Sequence, residues 1–308
     1  MERKMSEENN APEAGNGEGG APGVRAMPRS LYVVATPLGN ARDLTLRGLD
    51  ILRTVDVVAA EDTRVTGALL ARMGIAPRLV SLHAHNEMRR ADAVIAALAA
   101  GQSVALTTDA GTPAISDPGA RVVRAVRDAG FAVVPVPGPS AVAAAVSAAG
   151  LAAERFAFLG FLPSQVKARR ALVAPLAALP LALVLYEAPH RVRDTIAFLA
   201  ELLPGERTLV VARELTKMFE TIAVMRLDAA LAWLDVDPHR QRGEFVLIVD
   251  AAAEAPPPAA LSPETERWLA ALLQELPPAR AARVAAAASG VPRAELYARA
   301  LALKPADR

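Results

Sequence analysis

Ser103-Val-Ala-Leu-Thr-Thr-Asp-Ala-Gly-Thr-Pro-Ala-Ile-Ser-Asp-Pro-Gly119 decides the fold. An apolar run over 103–108 enters a loop stiffened by proline and glycine. An alternating apolar and arginine pattern then predicts a helix over 119–129. The same succession stands upstream in Leu31-Tyr-Val-Val-Ala-Thr-Pro-Leu-Gly-Asn40, and downstream in Val133-Val-Pro-Val-Pro-Gly-Pro-Ser-Ala141. Buried parallel strands are short β-branched runs, and their crossovers are helices. If the three strands share one parallel sheet, their loops emerge together at its carboxyl edge, where open α/β sheets hold ligands.

Outward from these segments, the pattern predicts strands at 31–36, 55–60, 79–82, 103–108 and 132–136. Helices are predicted at 44–53, 64–73, 88–100, 119–129 and 139–149. This alternation makes a doubly wound α/β domain over 30–150. A second α/β domain is expected over 151–252. Its strands are 155–161, 181–187, 207–213, 221–225 and 244–249, and its helices 166–178, 190–202 and 228–234. The link between the strands near 210 and 222 is too short for a helical crossover, so this second sheet should be mixed. The proline- and alanine-rich stretch from Ala251 to Pro258 reads as a linker. Ser262-Pro263 then opens a helical tail over 262–308 by capping chemistry. Its later helices, 279–288 and 292–302, flank Ser289-Gly-Val-Pro292. They suit a helix-turn-helix or a small packing appendage.

The chain has 308 residues, 53% of them hydrophobic and 22% charged, enough apolar material for two domains. Residues 1–29 are polar and glycine-rich and read as a disordered leader without a secretory signal. No apolar run reaches the ~20 residues of a membrane span, so no membrane partner is expected. With no cysteine, disulfides, thiolate zinc sites and a cysteine nucleophile are excluded, in keeping with a cytoplasmic protein. Net charge is +1, so no global field attracts nucleic acid. From Pro277 to Arg308, however, six basic residues face two acidic ones, which suits either phosphate contact or a solvated helical face.

The loops lack both Gly-x-Gly-x-x-Gly after the first strand and a Gly-x-x-x-x-Gly-Lys-Ser/Thr sequence, so the common dinucleotide and P-loop readings lose their main support. They carry carboxylates: Glu61-Asp-Thr-Arg64, Asp109 and Asp117. Carboxylates beside exposed backbone suit a ligand with positive charge, such as an amine or a sulfonium. Asp117-Pro118-Gly119 is equally a good turn and helix cap. His83 and His85 share one face of an extended segment, but no third ligand accompanies them, so no metal site is expected. Tyr186-Glu-Ala-Pro-His-Arg191 and Arg213-Glu-Leu-Thr-Lys-Met-Phe-Glu220 place further charge at strand ends, as site groups or as a surface salt-bridge cluster. Phe158, Phe161, Tyr186 and Phe219 lie near strand ends, where core packing is their simplest role.

Taken together, Thr36-Pro-Leu-Gly-Asn40 with Asp43-Leu-Thr45, Glu61-Asp-Thr-Arg64, His83-Ala-His-Asn-Glu87, Thr108–Gly119, Pro137-Gly-Pro-Ser140, Tyr186–Arg191 and Arg213-Glu-Leu-Thr-Lys217 resemble one family. It is the ribosomal RNA small subunit methyltransferase I family, within the tetrapyrrole (corrin/porphyrin) methylase superfamily. The resemblance runs from about Leu31 to Asp250, and the tail resembles the small helical domain of such proteins. It implies two α/β domains with S-adenosylmethionine between them, a homodimer, and 2′-O-methylation of a cytidine in 16S rRNA of the small ribosomal subunit. Methylation of a tetrapyrrole precursor is the alternative. Tetrapyrrole members carry Gly-x-Gly-x-Gly-Asp at the first loop, and Ala35-Thr-Pro-Leu-Gly-Asn40 departs from it toward the RNA branch.

On this resemblance the cofactor loops fall on Pro37, Leu38 and Gly39, on Asp109, Ala110 and Gly111, and on Pro137, Gly138 and Ser140. The substrate-facing set is Arg64, His83, Asn86, Arg191 and Arg213. A base for the ribose hydroxyl is sought among Glu61, Asp62, His83, Glu87, Lys217 and Glu220, with Glu61, Asp62 and Lys217 preferred as catalytic groups. Lys167, Arg169 and Arg170 are expected to join the basic tail in contacting phosphate.

Overall fold

A computed structural model describes residues 23–82, 87–251 and 261–303. The chain divides into two compact units, one ending at Ala251 and one beginning at Ala252.

In the first unit, β1 (Ser30–Val34), β2 (Val57–Ala60), β3 (Arg78–Ser81), β4 (Val104–Thr107) and β5 (Ala132–Val136) form a sheet ordered β3-β2-β4-β1-β5. Every neighbouring pair in it is parallel. Strands β2 and β4 are wholly buried, whereas the edge strands β3 and β5 are only partly covered. Alternate residues of β1 serve opposite faces, as a period of two requires. Leu31 packs with Val122 and Val126 of α4 (Ala120–Asp128) and with Val94 and Leu98 of α3 (Glu87–Ala99). Tyr32 and Val34 pack with Ile51 and Leu52 of α1 (Leu46–Thr54) and with Leu70 of α2 (Thr63–Arg72). Each such buried aliphatic side chain contributes roughly 1.5–3 kcal/mol. All five strands therefore point their carboxyl ends to one edge.

A second sheet holds β6 (Phe156–Phe161), β7 (Ala182–Glu187), β8 (Thr208–Arg213), β9 (Thr221–Arg226) and β10 (Phe245–Val249), in the order β6-β7-β10-β8-β9. It is mixed, as the short 210–222 link demands: β6 and β7 are parallel, and every other neighbouring pair is antiparallel. The last strand, β10, slots between β7 and β8 so that Phe245 pairs with Glu187 on one side and Arg213 on the other. That register gathers three charged groups, Glu187, Arg213 and Glu244, at one sheet edge. Helices α6 (Val166–Val173), α7 (Val192–Leu202) and α8 (Ala230–Asp235) cover one face. Helix α5 (Ala141–Ala149), which leaves the first sheet after β5, covers the other through Val142, Ala145 and Ala149.

Several boundaries differ from the sequence-based expectation. Helix α6 stops at Val173 instead of 178, because Pro175 cannot continue it and the chain tightens into a 3-10 turn. The helix expected at 228–234 starts with a 3-10 turn over Leu227–Ala229. Residues 24–27, expected within an unfolded leader, lie along α1: the amides of Val24 and Ala26 donate to Asp50 Oδ2 (3.1 Å) and Thr54 Oγ1 (3.0 Å). Leader residues 1–22 lie outside the described residues.

The second unit is a three-helix cluster: α9 (Pro263–Glu275), α10 (Pro278–Ser289) and α11 (Arg293–Leu303). Ser262 Oγ caps α9 through the Thr265 amide at 3.1 Å, and Gly290 in the left-handed region ends α10. Leu269, Ala281, Ala282, Ala285, Leu296 and Ala300 form its core. Among the described residues no helix is long and apolar enough to cross a membrane.

Candidate functional site

The carboxyl edge of the first sheet is where its loops meet. Thr36, just past β1, and Gly111, just past β4, exchange two backbone hydrogen bonds of 2.8 and 3.0 Å. Thr36 Oγ1 also donates to the Thr108 carbonyl at 3.0 Å, and Thr112 Oγ1 to the Pro139 carbonyl at 2.9 Å. Segments around 37, 110 and 139 are thus stitched into one ledge. Gly111 sits at φ +82°, a conformation that glycine adopts without strain, and a Cβ there would press on Leu38 at 3.3 Å. A Cβ on Gly39 would stand 2.3 Å from Lys217 Cγ, so this glycine lets the first loop lie against the loop after β8.

Opposite the ledge stands the charged edge of the second sheet, and between them lies a cleft of about 330 Å³. Leu38, Ala110, Gly111, Thr112, Ile115, Asp117, Ser140 and Ala141 form one wall. Phe161, Tyr186 to Pro189, Leu215 and Glu244 to Val246 form the other. Apolar side chains dominate the lining, and its charged members are all carboxylates: Asp117, Glu187 and Glu244. Tyr186 is braced by edge-on contacts with Phe158 and Phe161, at 4.8 and 5.7 Å between ring centres. The first turn of α5 reaches this wall at Ser140, whose hydroxyl makes no capping bond.

Two neighbouring loops hold non-glycine residues in the left-handed region: Ala114 and Ser116 in one, Glu214 and Thr216 in the other. Such backbone costs about 1–2 kcal/mol per residue and persists only where surroundings enforce it. The Thr216 hydroxyl accepts the Asn40 amide at 3.2 Å, tying the second loop to the ledge.

Of the sequence-predicted cofactor residues, Leu38, Ala110, Gly111 and Ser140 line the cleft. Pro37, Gly39, Asp109, Pro137 and Gly138 belong to the same loops but not to the lining. Asp109 and Glu61 interlock behind it. The Asp109 amide donates to Glu61 Oε2 at 3.3 Å, and Asp109 Oδ1 accepts the Asp62 amide at 3.0 Å. Asp62 caps α2 and ion-pairs with Arg64 at 2.6 Å, so these two residues neutralise each other. The Arg64 side chain holds the Asp62 carboxyl well below the usual carboxylate range. Lys217 Nζ lies between Glu214 (2.9 Å) and Glu244 (3.0 Å). Burial pulls its basicity down, but hydrogen bonds to these two carboxylates outweigh that and keep it above the ordinary value. Lys217 is therefore a fixed ammonium.

The predicted arginines serve largely as braces. Arg191 donates to the Leu162 carbonyl at 2.6 Å and pairs with Glu187 at 3.4 Å. Arg213 donates to the carbonyls of His239 (2.9 Å), Arg242 (3.2 Å) and Phe219 (3.3 Å) and to Thr221 Oγ1 (3.3 Å). Arg169, expected at phosphate, is buried, stacked on Phe198 and bonded to the Pro163 carbonyl at 3.1 Å, while Arg170 pairs with Glu201. His83 and Asn86 lie outside the described residues. No group of three or more metal-ligating side chains occurs among the described residues.

Sequence reasoning missed Glu244 as a site residue and left Asp117 open between a ligand-facing carboxylate and a turn residue. Glu244 shows only as a charge before an apolar strand, and Asp117 is concealed by its suitability as a turn residue. Burial, and next the negative charge of Glu61, push the Asp117 carboxyl up to about 6. Because its folded value lies above that of an ordinary aspartate, stability is lost as pH rises from about 4 through about 6. Asp117→Asn should accordingly be more stable than the wild type at pH 8 by on the order of 1–2 kcal/mol, water screening the rest, with no gain below pH ~4. Chemical denaturation at the two pH values checks this.

A double α/β architecture with a cleft between mixed and parallel sheets defines a class, and residues 30–231 match the family model for Tetrapyrrole (Corrin/Porphyrin) Methylases. A cobalt precorrin-4 methyltransferase structure shares this fold at TM-score 0.56 and 17% identity, covering 72% of this chain and 95% of that one. A uroporphyrin-III C-methyltransferase from Thermus thermophilus, solved with S-adenosyl homocysteine, does so at TM-score 0.54 and 21% identity, covering 72% and 97%. Residues 259–304 match the RsmI C-terminal HTH domain. Ribosomal RNA small subunit methyltransferase I of Xylella fastidiosa (strain Temecula1) is 49% identical over 88% of this chain and 99% of its own length. The same-named protein of Escherichia coli O157:H7 is 47% identical over 88% and 94%. The chain belongs to the ribosomal RNA small subunit methyltransferase I family, a methyltransferase branch of the tetrapyrrole methylases.

Proposed function

We propose that this protein transfers the methyl group of S-adenosylmethionine to the ribose 2′-hydroxyl of a cytidine in 16S rRNA of the small ribosomal subunit, acting in the cytoplasm as a homodimer. The observation that carries the reading is the stitched ledge of Thr36, Gly111, Thr112 and Pro139 facing a cleft whose charged lining is wholly carboxylate.

The residues present fit this cofactor. The cleft has the size of a nucleoside-sized ligand site, with apolar walls for a base and ribose. The N-terminal end of α5 suits a carboxylate by its dipole, and Asp117 and Glu244 suit a sulfonium. Leu38, Ala110, Gly111 and Ser140 would hold it, and when bound it supplies an electrophilic methyl group. The protein's share is alignment of the incoming hydroxyl, worth up to roughly 7–11 kcal/mol. Lys217, fixed as an ammonium beside Glu244, is a positioning charge for the ribose-phosphate. Glu61 and Asp62 hold the ledge through Asp109. Exposed Arg280, Arg283 and Arg293 on the three-helix unit are suited to phosphate. Exposed Ile222 and Val224 on the edge strand β9 offer an apolar face to a second subunit.

Incubation with methyl-labelled cofactor tests the reading. Label should enter the ribose of one cytidine in undermethylated small subunits and should not enter uroporphyrinogen III. Labelling of the tetrapyrrole alone would replace this reading with the alternative.

A further inference from the structure

We propose that Asp117 is the proton acceptor for the ribose hydroxyl, an inference that rests on the function proposed above. Three carboxylates line the cleft, and two pair with cations, whereas Asp117 has the Thr108 hydroxyl beside it. Glu187 accepts the Thr195 hydroxyl (2.6 Å) and the Ala188 amide (2.8 Å) and pairs with Arg191, and Glu244 pairs with Lys217 at 3.0 Å. Among the described residues no cation ion-pairs with Asp117. Two of the preferred candidate bases are unsuited to take a proton: the Asp62 carboxylate caps α2 and pairs with Arg64, and Lys217 already carries one.

The loop that presents Asp117 is built for that placement. Ala114 and Ser116 are held at φ +68° and +62°, and Ser116 Oγ reaches so close to Gly160 that a Cβ there would stand 2.7 Å away. Strain retained in a loop on the wall of a cleft is the pattern of a site, where geometry outweighs local stability. Ile115 and Phe161 line the same cleft. The titratable groups facing it are Glu61 after β2, Asp109 in its own loop, Tyr186 at the end of β7 and Glu244 before β10. Burial first, and then the three carboxylates among them, raise its proton affinity, which suits a base working near neutral pH.

In the step, the hydroxyl oxygen bonds to the methyl carbon as the carbon–sulfur bond breaks, and sulfur keeps the electron pair. The hydroxyl proton passes to an Asp117 oxygen. A sulfonium and a carboxylate become a thioether and a carboxylic acid, so two opposite charges vanish together, which a half-buried site favours.

Asp117→Asn keeps the shape and removes the acceptor. Its kcat on small subunits should fall by about 10²–10⁴-fold, with S-adenosylhomocysteine affinity by calorimetry within about threefold of wild type. Wild-type kcat/KM should climb with pH up to about 6 and level off above, and Asp117→Glu should recover part of the rate. Carbon-13 NMR of the ligand-free protein should show a carboxyl titrating near 6 that the Asn variant lacks. The proposal is overturned if the Asn variant keeps its kcat, or if its whole deficit is in cofactor affinity. It is also overturned if no carboxyl of the wild type titrates near that pH. A wild type inert on subunits would remove the functional reading itself, whereas an active wild type with an unimpaired Asn variant removes this inference alone.

Discussion

Gly111→Val is expected to cut affinity for S-adenosylhomocysteine by at least about 100-fold, roughly 2.7 kcal/mol, when titrated by calorimetry. Three effects converge on this residue. Its φ of +82° is costly for any side chain and most so for a β-branched one. Its backbone makes both bonds to Thr36 that join the loops after β1 and β4. Its would-be Cβ meets Leu38, which lines the cleft. A valine must therefore open the ledge, displace Leu38, or both. The sheet beneath is carried by Leu31, Leu106 and their neighbours, so circular dichroism should report a folded chain. Gly111→Ala should fall between valine and wild type. Unchanged affinity in the valine variant would mean that the ligand does not rest on this ledge.

Arg213→Ala should destabilise the first unit by about 2 kcal/mol, lowering its melting temperature by about 4–8 °C. The guanidinium joins three strands' worth of loop ends by donating to His239, Arg242, Phe219 and Thr221. Truncation leaves these acceptors unmatched and frees the loop that carries Lys217 and Leu215. Activity should fall with it, through kcat and KM together, since both the positioning charge and part of the cleft wall move. Lysine at 213 should rescue little, because a single ammonium cannot span four acceptors in the way that the planar fork does. A variant of full stability that loses only RNA affinity would return Arg213 to a direct substrate-contacting role.

Much of the fold was legible in the chain because its signals are local. The β-branched runs at 31–36 and 103–108, each closed by a proline–glycine loop, announce parallel strands whichever residues they meet. The short link after Arg213 forces an antiparallel turn. Placement of β10 between β7 and β8 was not legible, because strand order is a long-range choice that no local pattern encodes. The site followed the same division. Leu38, Gly111 and Ser140 stand on loops that the motif grammar singles out. Glu244 reaches the cleft only through the register of β10, and Asp117 only through the strained turn before it. The arginines were the least legible. Charge at a strand end reads alike whether it faces phosphate or, like Arg213 and Arg191, is spent on carbonyls of its own chain.

Crystals grown with S-adenosylhomocysteine test the central claim most directly. The account predicts the thioether sulfur in the cleft between the 110–112 backbone and Tyr186, with Asp117 facing the open side where a ribose would approach. Density for the ligand outside that cleft, or on the ledge but with Asp117 turned away from the sulfur, would contradict it.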